Sequence, residues 1–261
     1  MIEPLAVAYS TVAGAGATAL GALPIVAIRS LSHRIHDTLL AFSAGLMGAI
    51  VLFQLLPEGF RTAQGQTLGP ILGLALGGIT LFALDRATRH LPMPRPFWRD
   101  RPELRNARTG FLVFVALSIH NVPEGLSTGL GYGHGVTPFG NALALGIALQ
   151  NVPEGLIVAV SLRGDGHSRF AAFALAALTG VVEPLSAVMA MLAVDLSAVI
   201  LPLGLGLAAG AMAYVILAEM IPESYKHGYH REATIAVILG VLIVIFLSIF
   251  AADGARNGLI H

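Results

Sequence analysis

Two short stretches hold the residues whose types and spacing could do chemistry. His120-Asn121-Val122-Pro123-Glu124-Gly125 lies in one apolar run, and Gln150-Asn151-Val152-Pro153-Glu154-Gly155 lies in the next. On a helix, residues three and four apart are neighbours, so His120, Asn121 and Glu124 share a face, and Gln150, Asn151 and Glu154 repeat the arrangement. Pro123 and Pro153 have no N–H, which leaves the carbonyls of Ile119 and Leu149 without a helical partner. Two such helices face to face gather carboxylate, amide, imidazole and bare carbonyl groups at one depth. That donor set holds a divalent cation, and imidazole with carboxylate suits zinc and its first-row neighbours.

Glu124, Glu154 and Glu183 are the acids deepest in apolar runs, and Glu183 is again next to a proline, Pro184. A carboxylate at the centre of a bilayer costs at least ~2.5 kcal/mol even on lenient scales. No Lys or Arg lies in these three runs away from their ends. The acids are therefore either protonated and hydrogen-bonded between helices or neutralised by a bound cation. The further donors at matching depth, His120, Asn121, Gln150 and Asn151, favour the cation, and Glu183 is expected to complete the cluster.

The elements that must position these residues follow from composition. Of 261 residues, 56% are hydrophobic and 11% charged, against about 25% charged in soluble domains. This is an all-α polytopic membrane protein, one transmembrane domain over residues 1–261. Spans need roughly 20 apolar residues, and eight are expected at 5–28, 38–56, 68–85, 109–131, 138–161, 170–193, 199–221 and 233–252. Zero formal net charge offers no field for nucleic acid, and the absence of cysteine excludes disulfides and thiolate metal sites. Met1-Ile2-Glu3-Pro4 lacks the basic start of a secretory signal peptide, so the first run is expected to be a retained helix. Thirteen Lys and Arg fall in the connections on one side, seven of them in the Arg- and Pro-rich loop 86–108, against Arg61 and Arg256 on the other. The positive-inside rule then places both termini outside the cytoplasm, in a multi-pass protein of the inner (plasma) membrane.

The second span closes on Leu56-Pro57-Glu58 and the seventh on Ile221-Pro222-Glu223, at opposite sides. Spans one to three and six to eight thus read as an inverted repeat around a central pair, a transporter device. Gly73 and Gly77, Gly125 and Gly129, and Gly206 and Gly210 have the spacing for close helix packing. Asp85, Glu219 and Glu223 near inner ends, and Glu58 and Asp253 near outer ends, are ordinarily interfacial; beside a metal-moving cluster they become stations on its path. His227 and His230, and His33 and His36, fall in inner connections, where histidines are mostly solvated; His227 is a candidate hand-off residue. His134 belongs to an outer turn.

The paired motif, with Val182-Glu183-Pro184, Leu84-Asp85-Arg86 and Ala218-Glu219-Met220-Ile221-Pro222-Glu223, resembles the ZIP family of zinc/iron permeases, closest to its GufA-like bacterial branch. The resemblance spans essentially the whole chain. It implies a homodimer of eight-helix subunits in a 3+2+3 arrangement, taking up divalent metal towards the cytoplasm by an elevator-like movement. It implies one metal position at His120, Glu124, Gln150 and Glu154 with Met47. A second, adjacent one would use Asn121, Asn151 and Glu183 and share Glu124 and Glu154. Many relatives carry His where Gln150 stands and some carry Asp where Asn151 stands, so cadmium, iron and manganese stay open beside zinc. The loop 86–108 holds a single histidine, His90, where relatives often have many, and its arginines suit anionic lipid headgroups instead.

The expected path runs from outside past Glu58 and Asp253 to Glu124, Glu154 and Glu183, then out past Asp85, Glu219, Glu223 and His227. No resident cofactor is expected; the metal is cargo. An intramembrane metal-dependent hydrolase is the alternative, although the chain has no H-E-x-x-H and more ligands than an open catalytic site uses. A metal receptor is a further alternative, with little soluble chain left to signal.

Overall fold

The computed structural model describes residues 3–28, 30–89, 105–196 and 200–256. Every regular element among them is helical. Eight long helices follow in order: α1 Pro4–Val26, α2 His33–Thr62, α3 Leu68–Arg89, α4 Arg105–Gly131, α5 Pro138–Gly164, α6 Arg169–Val194, α7 Ile200–Ser224 and α8 His230–Arg256. Seven of them, all but α4, are long and apolar enough to cross a membrane over their described residues. The stretch 90–104, which holds His90 and most of the loop expected to meet lipid headgroups, lies outside the described residues, as does the side chain of Asp253.

Local chemistry sets the ends. Ser32, Thr137 and Ser168 cap α2, α5 and α6, accepting from the backbone N–H of Ile35, Gly140 and Ala171. The α2–α3 turn puts Gly65 at positive φ, and the α7–α8 turn does the same with Gly228.

Boundaries of α2 and α7 differ from the sequence expectation. The cap at Ser32 starts α2 five residues early, so His33 and His36 stand in its first turns and not in a connection. Pro57 and Pro222 do not end α2 and α7. Each is preceded by a π-helical turn, Val51–Leu55 in α2 and Ile216–Met220 in α7. The wider π turn accommodates the ring and the missing N–H, and the helix resumes through Glu58 and Glu223.

Packing pairs the helices. α3 lies along α7 and α8 along α2; α4 lies along α6 and α5 along α1; α2 touches α5 and α7 touches α4. Exchanging α1 with α6, α2 with α7, α3 with α8 and α4 with α5 turns each pair in this set into another. Small residues make the approach close: a Cβ on Gly73 or Gly77 would come within 2.1 Å of backbone in α7, and one on Gly206 or Gly210 within 2.3 Å of backbone in α3. Only 22% of the apolar window of α3 and of α8 is buried, against 61% for α2 and α7. The first pair is peripheral, and the second walls the centre against α4 and α5.

Candidate metal site

Gly125 and Gly155 fix where the acids sit. A Cβ on Gly125 would fall 2.2 Å from the carbonyl oxygen of Glu183 in α6, and one on Gly155 would fall 2.1 Å from that of Thr18 in α1. Each motif thus ends on a residue with no side chain because its helix rests directly on a neighbour. The glutamate one position earlier is then held at the helix junction. Glu124 and Gln150 are fully buried, and Asn151, Glu183 and Met47 are at most 2% exposed.

The buried polar residues divide into two groups. In the first, both carboxylate oxygens of Glu124, both amide atoms of Gln150 and Oε1 of Glu154 are buried without a hydrogen-bond partner. Gln150 approaches Glu124 without completing a bond, while its backbone carbonyl accepts from Ser43 Oγ of α2 at 3.3 Å. In the second group, Asn151 Nδ2 donates to both oxygens of Glu183, at 3.0 and 2.8 Å, and to the Ala13 carbonyl at 3.1 Å. Asn121 Nδ2 donates to the Thr179 carbonyl at 2.9 Å. Gly14 in the π turn of α1 abuts Glu183, where a Cβ would lie 2.7 Å from the glutamate's own Cβ.

Glu124, Glu154, Met47 and His120 line the head of a cavity of about 470 Å³, whose mouth carries His36 and Glu223. His120 turns towards α7, its Nε2 3.3 Å from Glu219 Oε1. The structure therefore brings Met47, His120, Glu124, Glu154, Glu219 and Glu223 onto one cavity, with Gln150 against Glu124. Asp85 faces elsewhere, accepting from Tyr214 at 2.8 Å. Glu58 lies at the other end of the molecule in a separate recess with Gln54 and Phe139, chelated by Arg61, whose Nε is 2.7 Å away. Among the described residues no three His, Asp or Glu side chains converge on one point.

The whole-chain comparisons fit this geometry. The family model described as ZIP Zinc transporter matches residues 99–248, which include α5 to α7 and both motif repeats. The chain belongs to the ZIP family. This ZIP chain is 37% identical over 236 residues to the zinc transporter GufA of Myxococcus xanthus, covering 88% of this chain and 93% of the relative. It is 35% identical over 243 residues to the zinc transporter ZIPB of Bordetella bronchiseptica, covering 90% and 78%. Over 144 residues it is 44% identical to human zinc transporter ZIP11, 53% of this chain and 42% of that one. The ZIP relatives carry transporter names, which sets the hydrolase alternative aside: this is a membrane transport protein and not an enzyme.

Sequence reasoning missed one cluster. Asp37, fully buried, accepts from His227 Nδ1 at 2.9 Å and lies 3.3 Å from His36 Nδ1, while His33 stacks on His227 with ring centroids 4.0 Å apart. The partners are 190 positions apart, and no local pattern couples them.

Proposed function

We propose that this chain moves a divalent transition-metal cation, zinc first, across the membrane into the cytoplasm by alternating access. The observation that carries the reading is the set of five orphaned polar atoms on Glu124, Gln150 and Glu154, of which both acids line the cavity of about 470 Å³. An unsatisfied buried polar group costs about 1–3 kcal/mol and more when charged, and a dehydrated cation is the guest that offsets several at once. With no three His, Asp or Glu converging among the described residues, the first position takes its remaining donors from Gln150 and Met47, with His120 swinging between it and Glu219. The second position is Glu183 with Asn151 and Asn121, sharing Glu124 and Glu154 as bridges.

The Lys and Arg bias supports an orientation with the cavity mouth on the cytoplasmic side, both termini outside, and the Glu58 recess at the entrance with Asp253. The site then faces inward, and Asp85 stands off the route. The exchange relation among helix pairs supports an inverted repeat of α1–α3 and α6–α8 around α4 and α5, the 3+2+3 arrangement. It divides the chain into α1, α4, α5 and α6, which carry the second position, and α2, α3, α7 and α8. Sliding of one group past the other is the elevator step. The broad apolar faces of α3 and α8 are where lipid or a second subunit of a homodimer is placed.

Uptake of zinc into proteoliposomes tests this. Glu124→Ala and Glu154→Ala are each expected to abolish flux while the protein still reconstitutes; full flux through either variant sinks the reading. Competition by cadmium, iron and manganese in the same assay ranks the cargo.

A further inference from the structure

A groove runs down the periphery of the bundle where the first turns of α2 and α8 lie side by side. It holds about 640 Å³ between Arg34, Ile35 and Leu39 of α2 and Glu232, Ile235 and Leu239 of α8. At its head stands one pair of opposite charges. Arg34 Nη2 is 3.0 Å from Glu232 Oε1, with the two side chains 64% and 30% exposed. Below the pair the walls are apolar and open, Ile35, Ile235 and Leu239 each being about half exposed. Residues three, four and seven apart share a helix face, so Glu232, Ile235 and Leu239 form one stripe, which at 1.5 Å per residue descends roughly 10 Å. The floor is preformed. Ala41, Ala233 and Ala236 are buried together there, and a Cβ on Gly45 would fall 2.3 Å from the Val237 carbonyl oxygen. A charged head at the ends of two spans, above an apolar trough that runs along them, matches the polarity of a single phospholipid.

We infer that this groove binds one phospholipid with an ethanolamine headgroup, its phosphate on Arg34, its ammonium on Glu232 and an acyl chain along Ile35, Ile235 and Leu239. The charges select the class. The contact between the two side chains uses one guanidinium nitrogen and one carboxylate oxygen, which leaves most N–H donors of the one and most lone pairs of the other to further partners. Exposed ion pairs also hold weakly, so both groups can turn to a headgroup. A phosphate takes the guanidinium's forked N–H pair, and a primary ammonium donates N–H bonds to the carboxylate. A headgroup of net negative charge gains at Arg34 and is repelled at Glu232. A choline headgroup carries the positive charge but has no N–H to donate. The leaflet, cytoplasmic by the Lys and Arg bias, rests on the proposed orientation; the binding does not.

Native mass spectrometry of the full-length, detergent-solubilised protein reads the first lipid bound and the subunit count together. The titrants are dioleoyl phosphatidylethanolamine, phosphatidylcholine and phosphatidylglycerol. The native chain is expected to take the ethanolamine lipid about tenfold more tightly than either of the others, the worth of one hydrogen bond to a charged group. Glu232→Ala is expected to erase the preference over the choline lipid and to strengthen binding of the glycerol lipid. Arg34→Gln is expected to weaken all three about tenfold, since each loses its phosphate partner. Both side chains lie at the surface, and a ratio between two lipids on one variant does not depend on how much of that variant folds. Equal affinity for the ethanolamine and choline lipids on the native chain, a native preference for the glycerol lipid, or an ethanolamine preference that survives Glu232→Ala overturns the inference. A subunit count that changes in either variant while the lipid ratio stays unmoved also overturns it and assigns the groove to a second copy of the chain. Absence of zinc flux from the native protein strikes the transport reading and leaves the lipid ratio standing.

Discussion

The Glu124–Gln150–Glu154 group and the Asn151–Glu183 group share a depth, a residue chemistry and two of the same helices, yet they stand in opposite states. The first has five buried atoms with nothing to bond. In the second the glutamate accepts twice from one amide, which is itself tied to the Ala13 carbonyl. The difference lies in what each group backs onto. Glu183 faces the π turn of α1, where Gly14 leaves room for it and Asn151 reaches across. Glu124 and Glu154 face the cavity beneath Met47 and His120. The scaffold satisfies the acid it encloses and leaves the acids at the cavity unsatisfied, which is where a cation gains most by binding.

The largest effect expected from this contrast is on flux. Glu124→Gln keeps the shape and removes the charge, and zinc uptake into proteoliposomes should fall by about a hundredfold or more, since even outer-shell partners are worth about ten- to a hundredfold in metal affinity. Glu183→Gln should cost only about tenfold, because its amide oxygen can still accept from Asn151. Equal losses would erase the distinction between the groups.

Stability without metal should move in opposite directions. Relieving an unsatisfied buried acid, Glu124→Gln should stabilise the metal-free protein by about 1 kcal/mol. Glu183→Gln should destabilise it by about 1 kcal/mol as a charge-assisted pair becomes a neutral one. Thermal unfolding in detergent with a strong chelator present reads both, and a shift of the same sign in the two variants breaks the comparison.

How far the two groups could be read from sequence follows from the range of the interactions that build them. The motif residues lie within one helical turn of each other, so their shared faces were legible, as were the eight helices and the membrane class. The glycines were legible as packing positions, but not that Gly125 rests on Glu183 and Gly155 on Thr18. Proline at Pro57 and Pro222 reads locally as a helix end; that a π turn absorbs each one depends on the chain beyond it packing against a distant helix, Leu56–Thr62 on α7 and Ile221–Ser224 on α2. The bond from Asn151 to Glu183 and the histidines around Asp37 join residues 32 and 190 positions apart, and only the folded chain brings them together.

A smaller effect sharpens the first group from within. Gln150 presents an amide beside Glu124, a harder donor than an imidazole. Gln150→His should keep transport and raise the preference for zinc over manganese by several-fold, since imidazole suits zinc and oxygen donors suit manganese. Competitive uptake of the two ions measures the ratio; an unchanged ratio removes Gln150 from the coordination shell.

The smallest effect belongs to Met47, 2% exposed at the cavity head. Its thioether is uncharged and soft, so it contributes little to holding a borderline ion such as zinc and more to holding cadmium. Met47→Leu conserves volume, and volume-conserving swaps cost less than about 1.5 kcal/mol in a packed interior. Zinc uptake is therefore expected to change by less than about threefold while cadmium uptake falls further, lowering the cadmium-to-zinc ratio. If both ions lose flux equally, Met47 acts through packing against α4 and α5, and the first group ends at its oxygens and His120.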